Sequence, residues 1–290
     1  MATISIAAPT KKVMPTKWRY FLHSPTAVAS MLYLIVLALI GILAPWISPY
    51  DPTDINLSDV MAAPSAAHWL GTDDLGRDVV SRLMAGAGPS LFASLLAVSI
   101  GTTLGVPIGL LAGYVGGRTD SIISRVLDAL LSFPSIVFAI GIAGVLGPGL
   151  VNGMVAIGIL MMPGFARLTR ATTMVVKQEL YVDAIRAFGA TPFRIVTRHV
   201  LPNAIQSAIV HAGLLLAIGL LAESSLSYLG LGVQPPRSSW GGMLARAYNY
   251  MEVAPEQMYA PGLAILFAAL AFNGLGEVVR LALDPRGPKR

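Results

Sequence analysis

The chain has 290 residues, 55% hydrophobic and only 12% charged, about half the charged share of an ordinary soluble domain, which is the composition of an integral membrane protein. It contains no cysteine, which excludes disulfides, thiolate metal sites and cysteine nucleophiles. The formal charge of +5 gathers in a few polar segments, where it bears on membrane orientation rather than on a nucleic-acid partner.

Residues 1–25 are polar and carry Lys11, Lys12, Lys17 and Arg19. Residues 26–47 hold no charge, enough for the roughly 20 apolar residues of a spanning helix. This run is too long for a signal-peptide core, and Ala44 is followed by Pro45 and Trp46, a poor cleavage context, so it reads as an uncleaved first span. Residues 48–89 form a polar connection in which Asp51, Asp54, Asp59, Asp73, Asp74 and Asp78 outnumber Arg77 and Arg82. A second charge-free run, Ser90 to Val115, carries Gly101, Gly105, Gly109 and Gly113, with Gly117 just beyond. The four-residue period lays these glycines on one helix face, open to close contact with a neighbouring span of this chain or of another subunit. Pro107 predicts a bend within it.

Gly116 to Asp120 reads as a turn. No charge occurs between Asp128 and Arg167, and Gly147-Pro148-Gly149 divides that interval into a third span over 122–146 and a fourth over 150–166. Arg125 and Asp128, three residues apart, are expected to pair with each other. A cationic segment follows over 167–203, then a fifth span over 204–231, a polar loop over 232–258, a sixth span over 259–281 and a tail, 283–290, with Arg286, Lys289 and Arg290. With six spans, the N-terminus, the 116–120 turn, the 167–203 segment and the tail share one side. That side holds most of the bases, and the positive-inside rule then places it in the cytoplasm with both termini.

Within 181–203 the local chemistry predicts two helices meeting at a corner. Met174 to Phe188 reads as one helix, Gly189 sits where a C-terminus wants a residue tolerant of positive φ, and Thr191 with Pro192 supplies an N-cap and a first helical position. Leu201-Pro202 reads as an interruption before the fifth span. No lysine follows a glycine, so there is no P-loop and nucleotide chemistry belongs to a partner. His23, His68, His199 and His211 lack metal-ligand spacing, and no metal site is expected. The stretch Asp73 to Asp78 lacks the alternating ligands of a calcium loop and reads as a structured turn. Glu223, with Ser224 and Ser227, lies near the outer end of the fifth span and is a candidate translocation or outer-gate group, because carboxylates in spans are costly. Hydrogen bonding at a helix end is the plainer reading. Glu277 and Arg280 are expected to pair.

Asp183-Ala184-Ile185, Gly189-Ala190 and Val200-Leu201-Pro202 resemble the EAA loop of permease subunits in bacterial ABC importers. The run His68 to Asp78, HWLGTDDLGRD, is similar to a signature of the dipeptide, oligopeptide and nickel branch. So are Glu223 to Gly232, ESSLSYLGLG, and Asn273 to Glu277 with Leu283-Asp284-Pro285-Arg286. The matches run in order over nearly the whole chain and look most like the second, C-type permease of a peptide importer.

The resemblance implies an all-α membrane protein with six transmembrane helices in the type I importer (MetI-like) permease fold. Residues 90–282 would be its five-helix core, with a cytoplasmic coupling helix between the fourth and fifth spans. It implies residence in the bacterial cytoplasmic membrane, a second homologous permease, two ABC ATPase subunits that bind ATP and Mg, and an extracytoplasmic binding protein, with no catalysis or cofactor in this chain. Asp183, Ala184, Gly189, Ala190, Leu201 and Pro202 would couple to the ATPase. Asp183 and Ile185 stand where the family usually has Glu and Ala. Relatives carry nickel, opines or glutathione, so the solute stays open between these and peptides. A secondary transporter fits less well, since no internal repeat is evident and the acids lie toward span ends.

Overall fold

The computed structural model describes residues 24–283; Lys11, Lys12, Lys17 and Arg19, the Asp284-Pro285-Arg286 match and the tail bases lie outside the described residues. Helix α1 (Pro25–Ile47) starts behind Ser24, whose hydroxyl accepts the Ala27 N–H. Helix α2 (Val79–Val115) is N-capped by Asp78, whose Oδ2 accepts the Ser81 N–H at 2.8 Å and the Ser81 hydroxyl at 2.7 Å. It begins about three turns before the charge-free run, because Ser81 and Arg82 are buried under the polar connection and belong to the helix. Its 37 residues span about 55 Å, well beyond a hydrocarbon core of about 30 Å, so its ends stand clear of the apolar layer.

The third span is broken. Helices α3 (Gly117–Leu131) and α4 (Ser135–Leu146) meet at 88° across Ser132-Phe133-Pro134. Pro134 has no N–H and forces Phe133 out of the helical region, which charge counting along 122–146 misses. The turn expected over 116–120 shrinks to Gly116, at φ +71°, between α2 and α3. Helix α3 is amphipathic: Leu127, with Ile123 and Leu130 beside it, packs against Met162 and Ala166. The expected Arg125–Asp128 pair is replaced by pairs to α5 (Leu150–Val176), where Asp128 meets Arg167 and Asp120 meets Arg170. A bond across the helix interface holds α3 in place, which an intrahelical pair would not.

Helices α2 and α5 run parallel. Gly101 faces Met161, Gly105 faces Met162 and Phe165, Gly109 faces Ala166 and Thr169, and Gly113 faces Arg170 and Thr173. A Cβ at Gly105 would stand 2.6 Å from the Met162 carbonyl oxygen, and one at Gly113 2.7 Å from that of Arg170. The glycine face therefore serves packing within the chain. Gly117 has left it, at φ +55° in the first turn of α3. Because α2 and α5 run parallel, the chain between them must return the length of the bundle. The α3–α4 pair makes that return as one bent crossing, which with the five long helices gives six crossings among the described residues.

The remaining helices are α6 (Leu180–Ala187), α7 (Pro192–Tyr228), α8 (Trp240–Asn249) and α9 (Tyr259–Leu283). Helix α8 folds within 232–258, which the sequence leaves as plain loop. Gly213 of α7 meets Gly276 of α9 backbone to backbone. The main core fills the space among α2, α5 and α7 with Ala97, Met154, Met161 and Phe165. One end of the bundle carries the 48–78 connection and α8, and is called the loop end. The other carries the 177–200 corner, together with Ser30 and Gly274, which face each other near the two ends of the described chain.

Candidate functional site: a projecting corner and a buried junction

Helix α5 ends at Val176 and Lys177 caps it, sending Nζ to the Gly113 carbonyl at 2.6 Å and the Tyr114 carbonyl at 3.4 Å. A cation here offsets the partial negative charge of the α2 C-terminus. The continuous helix expected over 174–188 is thus two, since α6 restarts behind Glu179. Helix α6 closes in a Schellman turn: Gly189 (φ +83°) donates its N–H to Arg186 O at 3.0 Å, and Ala190 donates to Ile185 O at 3.3 Å. A Cβ at Gly189 would meet nothing within 4 Å, so only the backbone angle demands glycine. Thr191 Oγ1 accepts the Arg194 N–H at 3.4 Å and Pro192 opens α7.

Leu201-Pro202 does not interrupt the chain. Val196–Val200 forms a π-helical turn in which the Leu201 N–H reaches Val196 O, and this widened turn carries the helix past a residue without an N–H. The corner and the fifth span are therefore one helix from Pro192 to Tyr228.

Val182, Ile195 and Val200 are buried in the main core, with Ile185, Ala190 and Leu201 packed beside them. The opposite side is bare: Leu180 is 86% exposed, Phe188 91% and Phe193 78%. Asp183 and Ala184 share that exposed side, and the Asp183 carboxylate accepts from Arg186 at 2.8 Å. Pro202 is exposed at the base of α7. Large aromatic groups on the tip of a polar element mark a surface for another protein. Charge and helix-end signals point to the corner, whereas its aromatic tip is read only from burial. Ile185 belongs to the anchored underside, which accounts for a branched apolar residue there.

The loop end is built oppositely. Asp73 Oδ1 accepts the N–H groups of Leu75 and Arg77 at 2.9 and 3.0 Å, and Oδ2 takes Arg77 at 2.6 Å and Arg82 at 3.2 Å. Asp74 bridges Arg77 at 3.4 Å and Arg246 of α8 at 3.1 Å. His68 meets Asp78 at 3.0 Å. On the rim, the Thr53 hydroxyl and N–H hold the Asp51 carboxyl below its ordinary range.

Glu223 is fully buried where α7 meets the N-terminus of α8. Its Oε1 accepts from Ser227 Oγ at 2.7 Å, while Oε2 lies against Gly241 with no hydrogen-bond partner among the described residues. Ser239 Oγ caps α8 through the Gly242 N–H at 3.1 Å and stands 3.4 Å from Ser227 Oγ. Trp240 donates its backbone N–H to Ser90 Oγ at 3.1 Å and Nε1–H to Leu83 O at 2.9 Å. Ser224 is half-buried and bonds back to Leu220 O at 3.0 Å. Glu223 and Ser227 thus sit in a packed joint of α2, α7 and α8.

Residues 105–287 match the family described as "Binding-protein-dependent transport system inner membrane component", and residues 16–64 match "N-terminal TM domain of oligopeptide transport permease C". The chain belongs to this family of transport permeases. The permease is 42% identical over 270 residues to "Glutathione transport system permease protein GsiD" of Pectobacterium atrosepticum, covering 93% of this chain and 90% of the relative. It is 40% identical over 265 residues to "Probable D,D-dipeptide transport system permease protein DdpC" of Escherichia coli (strain K12), covering 91% and 88%. An inward-facing structure of the MetNI methionine ABC transporter aligns with a TM-score of 0.55 and 19% identity, over 70% of this chain and 97% of that one. At that identity the likeness is one of fold, and the fold is the MetI-like type I importer fold. The permease is a multi-pass protein of the bacterial inner membrane.

Proposed function

We propose that the permease pairs with a second homologous permease and two ABC ATPase subunits to import di- or oligopeptides delivered by an extracytoplasmic binding protein. The observation that carries this reading is the corner: an aromatic, solvent-facing tip on a base locked into the spanning core. Asp183, Ala184, Gly189 and Ala190 shape the surface that docks on the ATPase, and Leu201 and Pro202 lead its displacement through the π turn into α7. The ATP and its Mg belong to the ATPases. Orientation with the corner and both termini in the cytoplasm is supported by Arg167, Arg170, Lys177, Arg186, Arg194 and Arg198 at the corner end, against an acid-rich connection at the other. Glu223, Ser224 and Ser227 form the outer gate's hinge, through the joint with α8.

The test is purification from co-expressed subunits followed by reconstitution in liposomes with the binding protein. ATPase subunits co-purify and peptide uptake requires ATP; uptake that persists without ATP rejects the proposal. The 42% identity to a glutathione permease supports a second reading, glutathione as cargo, itself a tripeptide. Competition between radiolabelled dipeptide and glutathione distinguishes the two.

A further inference from the structure

Within the spanning helices, charged side chains keep to α3 and to the ends of the long helices, as Glu223 does on α7 and Glu277 on α9, whereas His211 is the one charged or histidine side chain within residues 25–47, 83–115, 135–166, 200–222 and 259–276. It stands on α7 beside Gly164 and Phe165 of α5, which lie at the level of Gly105 on α2. That level is about 15 Å from the corner end of the roughly 55 Å α2, and His211 is about 18 Å along α7 from Glu223, so the imidazole lies inside the bundle on its corner half. A side chain of this kind within a span is costly unless it faces a polar route or partner.

The surroundings keep the ring presented. Phe165 meets it edge-on, with centroids 5.1 Å apart at 77°. Nε2 lies 3.1 Å from where a Cβ at Gly164 would stand, so glycine leaves room for the imidazole in the α5–α7 seam. His211 is half-buried and makes no side-chain hydrogen bond among the described residues. One turn toward the corner, Ser207 Oγ and Thr172 Oγ1 meet across the same seam at 3.1 Å. At 100° per residue, Ser207, His211, Leu214, Ile218, Leu221 and Ser225 share one side of α7. On this side Leu214, Ile218, Leu221 and Ser225 are exposed, with Ser207 and His211 toward the corner and Ser225 at the loop end.

We infer that this side of α7 lines the translocation route and that His211 is a contact within it for the substrate's carboxylate. The inference rests on the peptide-import reading above. A neutral imidazole carries one N–H donor and needs no proton to bind a carboxylate, and hydrogen bonds to charged acceptors are the stronger ones. The terminal carboxylate is common to peptides whose side chains differ, so one donor serves a varied cargo.

Because the chain has no cysteine, His211→Cys can be probed in the assembled complex with a charged, membrane-impermeant thiol reagent and read on this subunit after electrophoresis. His211→Cys is labelled in at least one nucleotide state, whereas Leu39→Cys, on the exposed side of α1, is not. With saturating loaded binding protein, peptide uptake falls about ten-fold in His211→Ala and recovers in His211→Gln, which keeps a donor. Absence of labelling in every state, as expected for a contact with the second permease, overturns the inference, as does unchanged uptake in His211→Ala. A wild-type complex that imports no peptide defeats the peptide-import reading instead, since labelling is measured without substrate.

Discussion

At the loop end Asp73, Arg77 and Arg82 are nearly buried and satisfy one another, whereas at the corner Asp183, Arg186 and Arg194 stand in solvent beside Phe188 and Phe193. Residues of the same kinds meet opposite fates because their backbones offer different partners. Asp73 folds back on two N–H groups of its own loop and places its second oxygen between two guanidinium groups, so each buried guanidinium has a carboxylate beside it. The corner has only a short helix and a glycine turn, and its structure comes from the apolar underside of Val182, Ile195 and Val200. One end is organised by polar satisfaction and the other by a buried keel, which frees the corner's outer surface for a partner.

The comparison breaks most severely if Asp73 is replaced by Ala. Arg82 would then be buried without a carboxylate partner and Arg77 left with Asp74 alone, and a loss of about 3–5 kcal/mol is expected, seen as a collapse of yield and a lower melting temperature in detergent. Gly105→Leu attacks the α2–α5 contact between the two ends and should cost about 1–3 kcal/mol, since backbone and Phe165 occupy the space; thermal unfolding of the purified permease measures it.

At the corner, Gly189→Val strains a positive φ by about 1–2 kcal/mol with no steric clash. The assembled complex should hydrolyse ATP yet transport poorly, while Gly189→Asn, which tolerates that conformation, stays near wild type. The smallest stability effect, within about 0.5 kcal/mol, belongs to Phe188→Ala combined with Phe193→Ala. That double variant should nevertheless lose its co-purifying ATPase. A melting temperature lowered as far as in Asp73→Ala would show that the aromatic tip is structural and erase the distinction between the ends.

Much of this was legible beforehand for a simple reason: a bilayer demands about 20 apolar residues per crossing, and charge-free runs of that length stand out. Gly189, Thr191 and Pro192 announced the corner because each answers a local backbone requirement. What stayed hidden depended on neighbours. Arg82 reads as loop until Asp73 and the Pro52 carbonyl receive it inside α2. Leu201-Pro202 reads as an interruption and Pro134 lies inside a span read as unbroken, yet Pro134 marks an 88° bend and Pro202 is absorbed by a π turn. Asp128 had a plausible partner in Arg125, but α5 presents Arg167 to it instead.

By itself the sequence determined the membrane class, the apolar segments, the family resemblance and the position of the corner, since these follow from composition and from residues within one turn of each other. Only tertiary structure decided that the glycine face packs on α5 within the same chain. It also decided that α2 and α5 run parallel, and that Phe188 and Phe193 point outward while Ile185 points in. Tertiary structure likewise joined Glu223 to α8 and left His211 in the seam between α5 and α7. Those outcomes depend on which surfaces meet, and burial and partner are properties of a pair of elements that neither element's residues specify alone.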